Sequence, residues 1–213
     1  MPKHGNKIII MGDETYVYVD PDENPSASSF KVNTNENVPD HVQFKERNKF
    51  AAKYLVWQAI SQDGKATRPY IQEGTMNWEI YLEKCLKSIL LPWIQKEFPD
   101  RNVLFWPDMA SCHYKKEVVD FLSEQGIAFV PRNQNAPKLP QARPIERLWA
   151  LCKRECAQSG PVAAGLAGFM QTWTEISARV MAKSDTALFA RLRQKLALVR
   201  RDGPYGPLKA LNK

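Results

Sequence analysis

Three carboxylates, Asp13, Asp108 and Glu146, stand where elements of the chain begin or end. Asp13 closes the apolar run Lys7-Ile8-Ile9-Ile10-Met11-Gly12, and Asp108 follows Val103-Leu104-Phe105-Trp106-Pro107. Glu146 comes just after Pro144, at the start of the helical pattern Ile145-Glu146-Arg147-Leu148-Trp149. Two strand-end aspartates and one helix-borne glutamate can converge on a pair of divalent cations. Magnesium takes hard oxygen ligands, uses few protein carboxylates and fills its other positions with water and phosphate oxygens. Two such ions, about 3.5–4 Å apart, activate the attacking oxygen and stabilise the leaving one in an in-line displacement at phosphorus. Carboxylates gathered without a cation repel, and one of them tends to keep its proton. Each acid also has an ordinary explanation. Asp13 suits a turn between hairpin strands, Asp108 the cap region of the next helix, and Glu146 a first helical turn where the macrodipole favours an acid.

The elements that must carry these residues follow from pattern. Residues 7–12 and 15–19 are β-rich runs on either side of Asp13-Glu14 and are expected as neighbouring strands of a hairpin. Asp20 to about Lys49 is rich in Pro, Asn, Asp and Ser and reads as loop, with a short strand near Phe30-Lys31-Val32. Tyr54–Ile60 is a strand ended by the Asp63-Gly64 turn, with a shorter strand at Pro69–Ile71. Asn77 caps a long helix running to about Phe98, whose apolar positions Ile80, Tyr81, Leu82, Leu86, Ile89 and Leu90 keep a helical period. Pro92 falls inside it and predicts a kink or break near Leu91. Val103–Trp106 and Ile127–Val130 are strands around a helix over Lys115–Gln125 that Gly126 closes. Residues 131–143 form a loop leading to the helix at Pro144, and residues 162–201 alternate apolar and basic positions at helical spacing. Strands, then strand–helix–strand, then a helix cluster predict an α/β domain with a mixed sheet, as in a ribonuclease H-like fold, with Asp13 and Asp108 on adjacent strands.

A chain of 213 residues holds one good core and a modest appendage, and 44% apolar content with six Trp argues for a folded globule. No apolar stretch reaches the roughly 18–20 residues of a membrane span, and the start, Met1-Pro2-Lys3-His4-Gly5-Asn6-Lys7, has no signal-peptide run. The chain thus reads as soluble and intracellular. Cys85, Cys112, Cys152 and Cys156 are too few and scattered for a disulfide framework. Cys152 and Cys156, one helical turn apart, are read as buried thiols in preference to half of a zinc site with Cys112-His113. From Arg147 onward there are 12 Lys/Arg against 4 Asp/Glu, while residues 1–146 carry 18 against 19. A near-neutral core with a basic C-terminal third suits a polyanionic partner.

The words around the three acids are specific. Gly12-Asp13-Glu14-Thr15-Tyr16, Trp106-Pro107-Asp108-Met109-Ala110-Ser111-Cys112-His113 and Pro140-Gln141-Ala142-Arg143-Pro144-Ile145-Glu146-Arg147-Leu148-Trp149 resemble, in order, the three catalytic blocks of the mariner-like superfamily of DDE transposases. With 37 residues between Asp108 and Glu146, the chain resembles the longer-spaced branch that ends in glutamate. The likeness covers most of residues 7–157, including Lys53-Tyr54-Leu55-Val56-Trp57-Gln58-Ala59, and thins in the tail.

The resemblance implies a ribonuclease H-like core over residues 1–160, a basic helical tail over 161–213, and two Mg²⁺ or Mn²⁺ ions. Asp13 would bridge both metals, with Asp108 and Glu146 each holding one. It further implies a nuclear enzyme that cuts DNA at transposon ends and joins the freed 3′-hydroxyl to target DNA, working as a dimer on paired ends. The tail's Lys and Arg would track phosphates, giving salt-sensitive affinity. Met109 departs from the family's usual Asn, whose amide supports the turn beside Asp108. His113 matches the family's His and is expected to be structural. Glu14, as Asp13's neighbour on a strand, is expected to face away from the site. The chain begins almost on the first catalytic strand, so the family's N-terminal helix-turn-helix modules are expected to be missing. Two further readings stay open: a decayed relic that only binds DNA, and a ribonuclease H-like nuclease acting on RNA–DNA hybrids.

Overall fold

The structure is a computed structural model that describes residues 7–19, 52–100, 102–135, 143–159 and 165–203. The strand expected near Phe30-Lys31-Val32 and residues 136–142 of the loop before Pro144 lie outside them. Five strands form one mixed sheet in the order β3-β2-β1-β4-β5. They are β1 (Ile8–Tyr18), β2 (Lys53–Ser61), β3 (Tyr70–Gln72), β4 (Val103–Trp106) and β5 (Ala128–Phe129). The central β1 runs antiparallel to β2 and parallel to β4.

The expected hairpin around Asp13-Glu14 is replaced by a single strand of 11 residues. Every position from Ile10 to Tyr18 has a partner on β2, with Asp13 opposite Gln58 and Glu14 opposite Trp57. Two consecutive polar residues can occupy a strand interior because they project to opposite faces. Asp13 is therefore mid-strand on the β2 side. On the β4 side the parallel ladder ends at Met11↔Trp106, so Asp13 stands just beyond it.

Each face of the sheet has its own core. One cluster gathers Met11, Val17, Val56 and Ile60 beneath α3 (Pro144–Gln158), α4 (Gly165–Ser184) and the start of α5 (Leu192–Asp202). Helix α4 contributes Phe169, Trp173, Ile176 and Val180 to it, so the apolar face of the basic C-terminal third is core. The other cluster joins Ile10, Trp57, Ala59 and Phe105 to helix α1 (residues 78–97) and to α2 (Lys116–Glu124).

Helix α1 comprises three consecutive segments, Trp78–Ile80, the π-helical Tyr81–Leu90 and Leu91–Glu97. Asn77 caps it as expected, its side chain accepting the Ile80 N–H at 2.8 Å. Of the kink or break expected near Leu91, no break occurs, since Leu91 keeps right-handed helical angles, but the helix changes there from π to α register. The Leu91 N–H reaches back to the Leu86 carbonyl, and the Ser88 hydroxyl donates to the Glu83 carbonyl at 2.5 Å. This wider register just before Pro92 takes up the residue that lacks a donor.

Gly12 has a packing reason. A Cβ there would lie 2.9 Å from Phe105 Cε2 and 3.4 Å from Trp57 Cζ2, both rings being fully buried. The glycine lets β1 lie close under these rings, which fixes the height at which Asp13 emerges. Among the described residues no helix is long and apolar enough to cross a membrane.

Candidate active site

Asp13 is buried on the α3 side of the sheet, beside Gln58. Gln58 is itself satisfied, donating to the Thr67 carbonyl at 2.7 Å and accepting from the Ser177 hydroxyl at 2.9 Å. Asp13 Oδ1 accepts the Glu14 N–H at 2.8 Å, and Oδ2 accepts Arg143 Nε at 3.3 Å. The same guanidinium donates to the Gly12 carbonyl at 3.0 Å and to the Pro107 carbonyl at 3.3 Å. Arg143 therefore ties β1 to the chain leaving β4 just before α3 begins. Burial pushes the Asp13 carboxyl up to about 7. Asp108, Glu14 and Glu146 push in the same direction, and Arg143 opposes them.

Asp108 lies two residues beyond β4, and its Oδ1 accepts the Ala110 N–H at 3.1 Å. Oδ1 also meets Nδ1 of His113, from the 3₁₀ turn Ser111–Tyr114. Burial acts to raise this carboxyl. The hydrogen bond and charge of His113, the Ala110 N–H and Arg143 outweigh it and hold Asp108 below the ordinary value. Glu146 opens α3 behind Pro144, its N–H bonded to the Arg143 carbonyl at 3.2 Å. The residue is exposed to solvent. Surrounding protein nevertheless raises its carboxyl, with Asp108 adding to the rise while Arg143 and Lys153 counter it. The three expected acids thus occupy one electrostatic neighbourhood.

The structure adds residues that the sequence reading passed over. Lys153, two turns along α3 from Glu146, donates to the Thr15 hydroxyl at 2.8 Å. Desolvation lowers its ammonium below the usual lysine value, with Glu146 opposing. Asn135 is buried, accepts Trp106 Nε1 at 2.7 Å and donates to the Pro107 carbonyl at 2.9 Å and the Tyr114 hydroxyl at 2.7 Å. An amide therefore does brace the Asp108 turn, although Met109 carries none. Arg143 and Asn135 both sit in the loop residues 131–143, where no periodicity marks them.

Glu14 corrects an expectation. It projects to the face opposite Asp13, yet it remains joined to the site. Its Oε1 lies 2.7 Å from His113 Nε2, so the imidazole bridges Glu14 and Asp108. The His113 ring packs on Tyr81 of α1 with centroids 3.9 Å apart. Burial alone would lower the His113 value. Tyr81, the Glu14 charge and the hydrogen bond to Asp108 outweigh it and raise the imidazole well above its ordinary range. Glu14, Asp108 and His113 present one ligand atom each within 4.8 Å of one another, a spacing that a metal ion also accepts. The cysteines take no part in such a group among the described residues. Cys85, Cys152 and Cys156 are buried in the two cores, and burial pushes the Cys152 thiol up to about 12.

Asp13, Asp108 and Glu146 offer the hard oxygen donors a divalent cation takes, although their oxygens do not gather within the 4.8 Å that the ligand atoms of Glu14, Asp108 and His113 share. Burial above all holds the Asp13 carboxyl near its proton, repulsion from three other acids adds to it, and Arg143 answers it only in part. A hard cation relieves that repulsion in place of a proton. On the Glu14 side, a bridging imidazole already faces both carboxylates.

A mixed sheet with β1 antiparallel to β2 and parallel to β4, covered by helices on both faces, defines the ribonuclease H-like class. Solved structures of the Mos1 mariner transposase share it. A Mos1 mariner paired end complex with Mn matches with a TM-score of 0.66 at 19% identity over 93% of this chain and 55% of that one. A pre-cleavage Mos1 transpososome matches at 0.63 and 19% identity, over 94% and 54%. The catalytic domain of Mos1 mariner transposase alone matches at 0.51 and 16% identity, over 86% and 79%. The chain thus spans about half the length of the transposase chains in the two complexes. No family model matches the chain, and no curated protein matches it in sequence. At these identities the likeness establishes the fold.

Proposed function

We propose that this chain is the catalytic domain of a mariner-like DDE transposase, with Asp13, Asp108 and Glu146 as its catalytic acids. The observation that carries the proposal is the buried Asp13 carboxylate. It stands just past the β1–β4 ladder, beside Asp108 and in the field of Glu146 on α3. The ordered sequence blocks and the Mos1-like fold support the same reading.

Asp13, Asp108 and Glu146 would supply the oxygen ligands for two Mg²⁺ or Mn²⁺ ions, whose Lewis acidity assists displacement at a DNA phosphodiester. Asp13 joins the two halves of the site, and Asp108 is held ionised by its Ala110 and His113 contacts. Arg143 keeps the ends of β1 and β4 together and balances part of the acidic charge. Lys153 offers an ammonium on the same helix face as Glu146, where a backbone phosphate would approach. Arg147 and Arg154 are exposed on α3 and Arg193 and Arg200 on α5, suited to sequence-independent, salt-sensitive contacts along DNA. The substrates are transposon-end and target DNA in the nucleus, and the working assembly is two copies on paired ends, a reading supported by the likeness to Mos1 paired-end complexes.

Nicking of supercoiled plasmid, with Mn²⁺ against EDTA, tests the reading. The wild type is expected to nick only with the metal, and Asp108→Ala is expected to lose the activity. Cleavage that survives Asp108→Ala would exclude this site. Retention on DNA at low salt with no metal-dependent nicking would instead identify a non-catalytic relic.

A further inference from the structure

Asp108 uses only one of its oxygens inside the protein. The Ala110 N–H bonds Oδ1, and His113 Nδ1 lies against the same oxygen as an ion-pair contact rather than an aligned hydrogen bond, while Oδ2 has no hydrogen-bond partner among the described residues. A short carboxylate on a turn ordinarily rotates, and rotation would exchange the two oxygens. Here the group that holds Oδ1 is itself immobilised from three elements. Glu14 on β1 takes His113 Nε2 at 2.7 Å, Tyr81 on α1 covers the ring at 3.9 Å, and the 3₁₀ turn supplies the backbone. The next residue, Tyr114, is anchored as well, its hydroxyl donating to the Val130 carbonyl at 3.1 Å and accepting from Asn135 at 2.7 Å. His113 is fully buried, whereas the Glu14 and Asp108 side chains keep 13% and 28% of their surface exposed, so the ring is sealed from water and its two carboxylate partners are reached only in part.

We propose that Glu14 and His113 are positioning residues for Asp108: the chain Glu14–His113–Asp108 fixes which carboxylate oxygen faces the cation site. The inference rests on the assignment of Asp108 as a metal ligand made above. It gives the second acid of the strand pair Asp13-Glu14 a task on the opposite face from its neighbour. In this role neither residue is itself a ligand of the cation. An outer partner that orients a ligating group typically alters metal affinity by about 10- to 100-fold when removed.

Mn²⁺ binding to the DNA-free chain, followed by the loss of the free-ion electron paramagnetic resonance signal, reads this directly without requiring activity. His113→Ala is expected to weaken Mn²⁺ binding by about 10- to 100-fold. His113→Asn, which keeps a donor toward Asp108 but loses the reach to Glu14, is expected to restore part of it. Glu14→Gln keeps the size and an acceptor oxygen, and is expected to weaken binding by about three- to tenfold with the melting profile of a folded protein. In nicking assays the same variants should raise the Mn²⁺ concentration at half-maximal rate more than they lower the maximal rate. Unchanged Mn²⁺ affinity in both Glu14→Gln and His113→Asn would overturn the positioning role. Nitrogen coupling to bound Mn²⁺ that vanishes in His113→Ala would also overturn it, by making His113 a ligand. A wild type that binds Mn²⁺ but does not nick DNA would sink the proposed activity alone, and the variants' affinities would still decide the positioning role. A wild type that binds no Mn²⁺ would overturn both.

Discussion

Asp13 and Glu14 are adjacent acids on one strand, and the molecule treats them in opposite ways. Asp13 turns toward α3, where burial and three neighbouring carboxylates raise it to about 7 and a single guanidinium answers it in part. Glu14 turns toward α1, where the His113 imidazole meets it and carries its influence across to Asp108. Strand alternation separates them, and the chemistry of the two faces follows from what the flanking elements bring. One face is left short of positive charge. The other is closed by a bridging ring. A cation has a place on the first face and a competitor on the second.

The largest expected effect comes from removing an acid shared by both faces. Asp108→Ala should reduce metal-dependent nicking by roughly 10³-fold or more, about 4 kcal/mol in the barrier. It should also abolish the rise in melting temperature that Mn²⁺ gives the wild type. Retention of either property would break the assignment.

The Asp13 side should also show itself in metal-free stability. A folded value near 7 against 3.8 for a free carboxyl means that the folded state holds a proton the unfolded chain gives up. Stability is then fully present below about pH 4 and is lost as pH rises through about 7, by up to about 4 kcal/mol. Chemical denaturation in EDTA across that window should show the loss, and Asp13→Asn should flatten it. A wild-type profile as flat as that of Asp13→Asn would mean that Asp13 is ionised and compensated.

Two smaller effects sharpen the contrast. Gly12→Ala drives a methyl into Phe105 and Trp57 beneath the strand that presents both acids. It should lower stability by about 1–3 kcal/mol in urea unfolding and should weaken Mn²⁺ binding along with it. Lys183→Ala removes an exposed partner of Glu155, far from either acid, and should leave the melting temperature and nicking rate unchanged. A strong effect there would mean that the C-terminal helices communicate with the site.

The acids themselves were legible because each follows a run whose periodicity gives its element away. The apolar runs before Asp13 and Asp108 mark β1 and β4, and Pro144 marks the start of α3. The misread hairpin shows the limit of that method. Asp13-Glu14 has the composition of a turn, and only the pairing of Ile10 to Tyr18 with β2 shows it to be strand. The partners were harder still. Arg143 reaches Asp13 across 130 positions and Glu14 reaches His113 across 99, contacts that carry no local signature. Asn135 lies in a stretch without periodicity and becomes meaningful only once Trp106, Pro107 and Tyr114 converge on it. The basic C-terminal third reads by charge as a tail facing a polyanion, and its apolar face, read as core in preference to partner surface, does bury Phe169, Trp173 and Ile176.

The contrast between the two faces has one direct test, the anomalous scattering of Mn²⁺ in crystals of this chain grown with the ion. The account predicts manganese bounded by Asp13, Asp108 and Glu146, with His113 still bridging Glu14 and Asp108. Manganese seated among Glu14, Asp108 and His113, with Asp13 still held by Arg143, would contradict it.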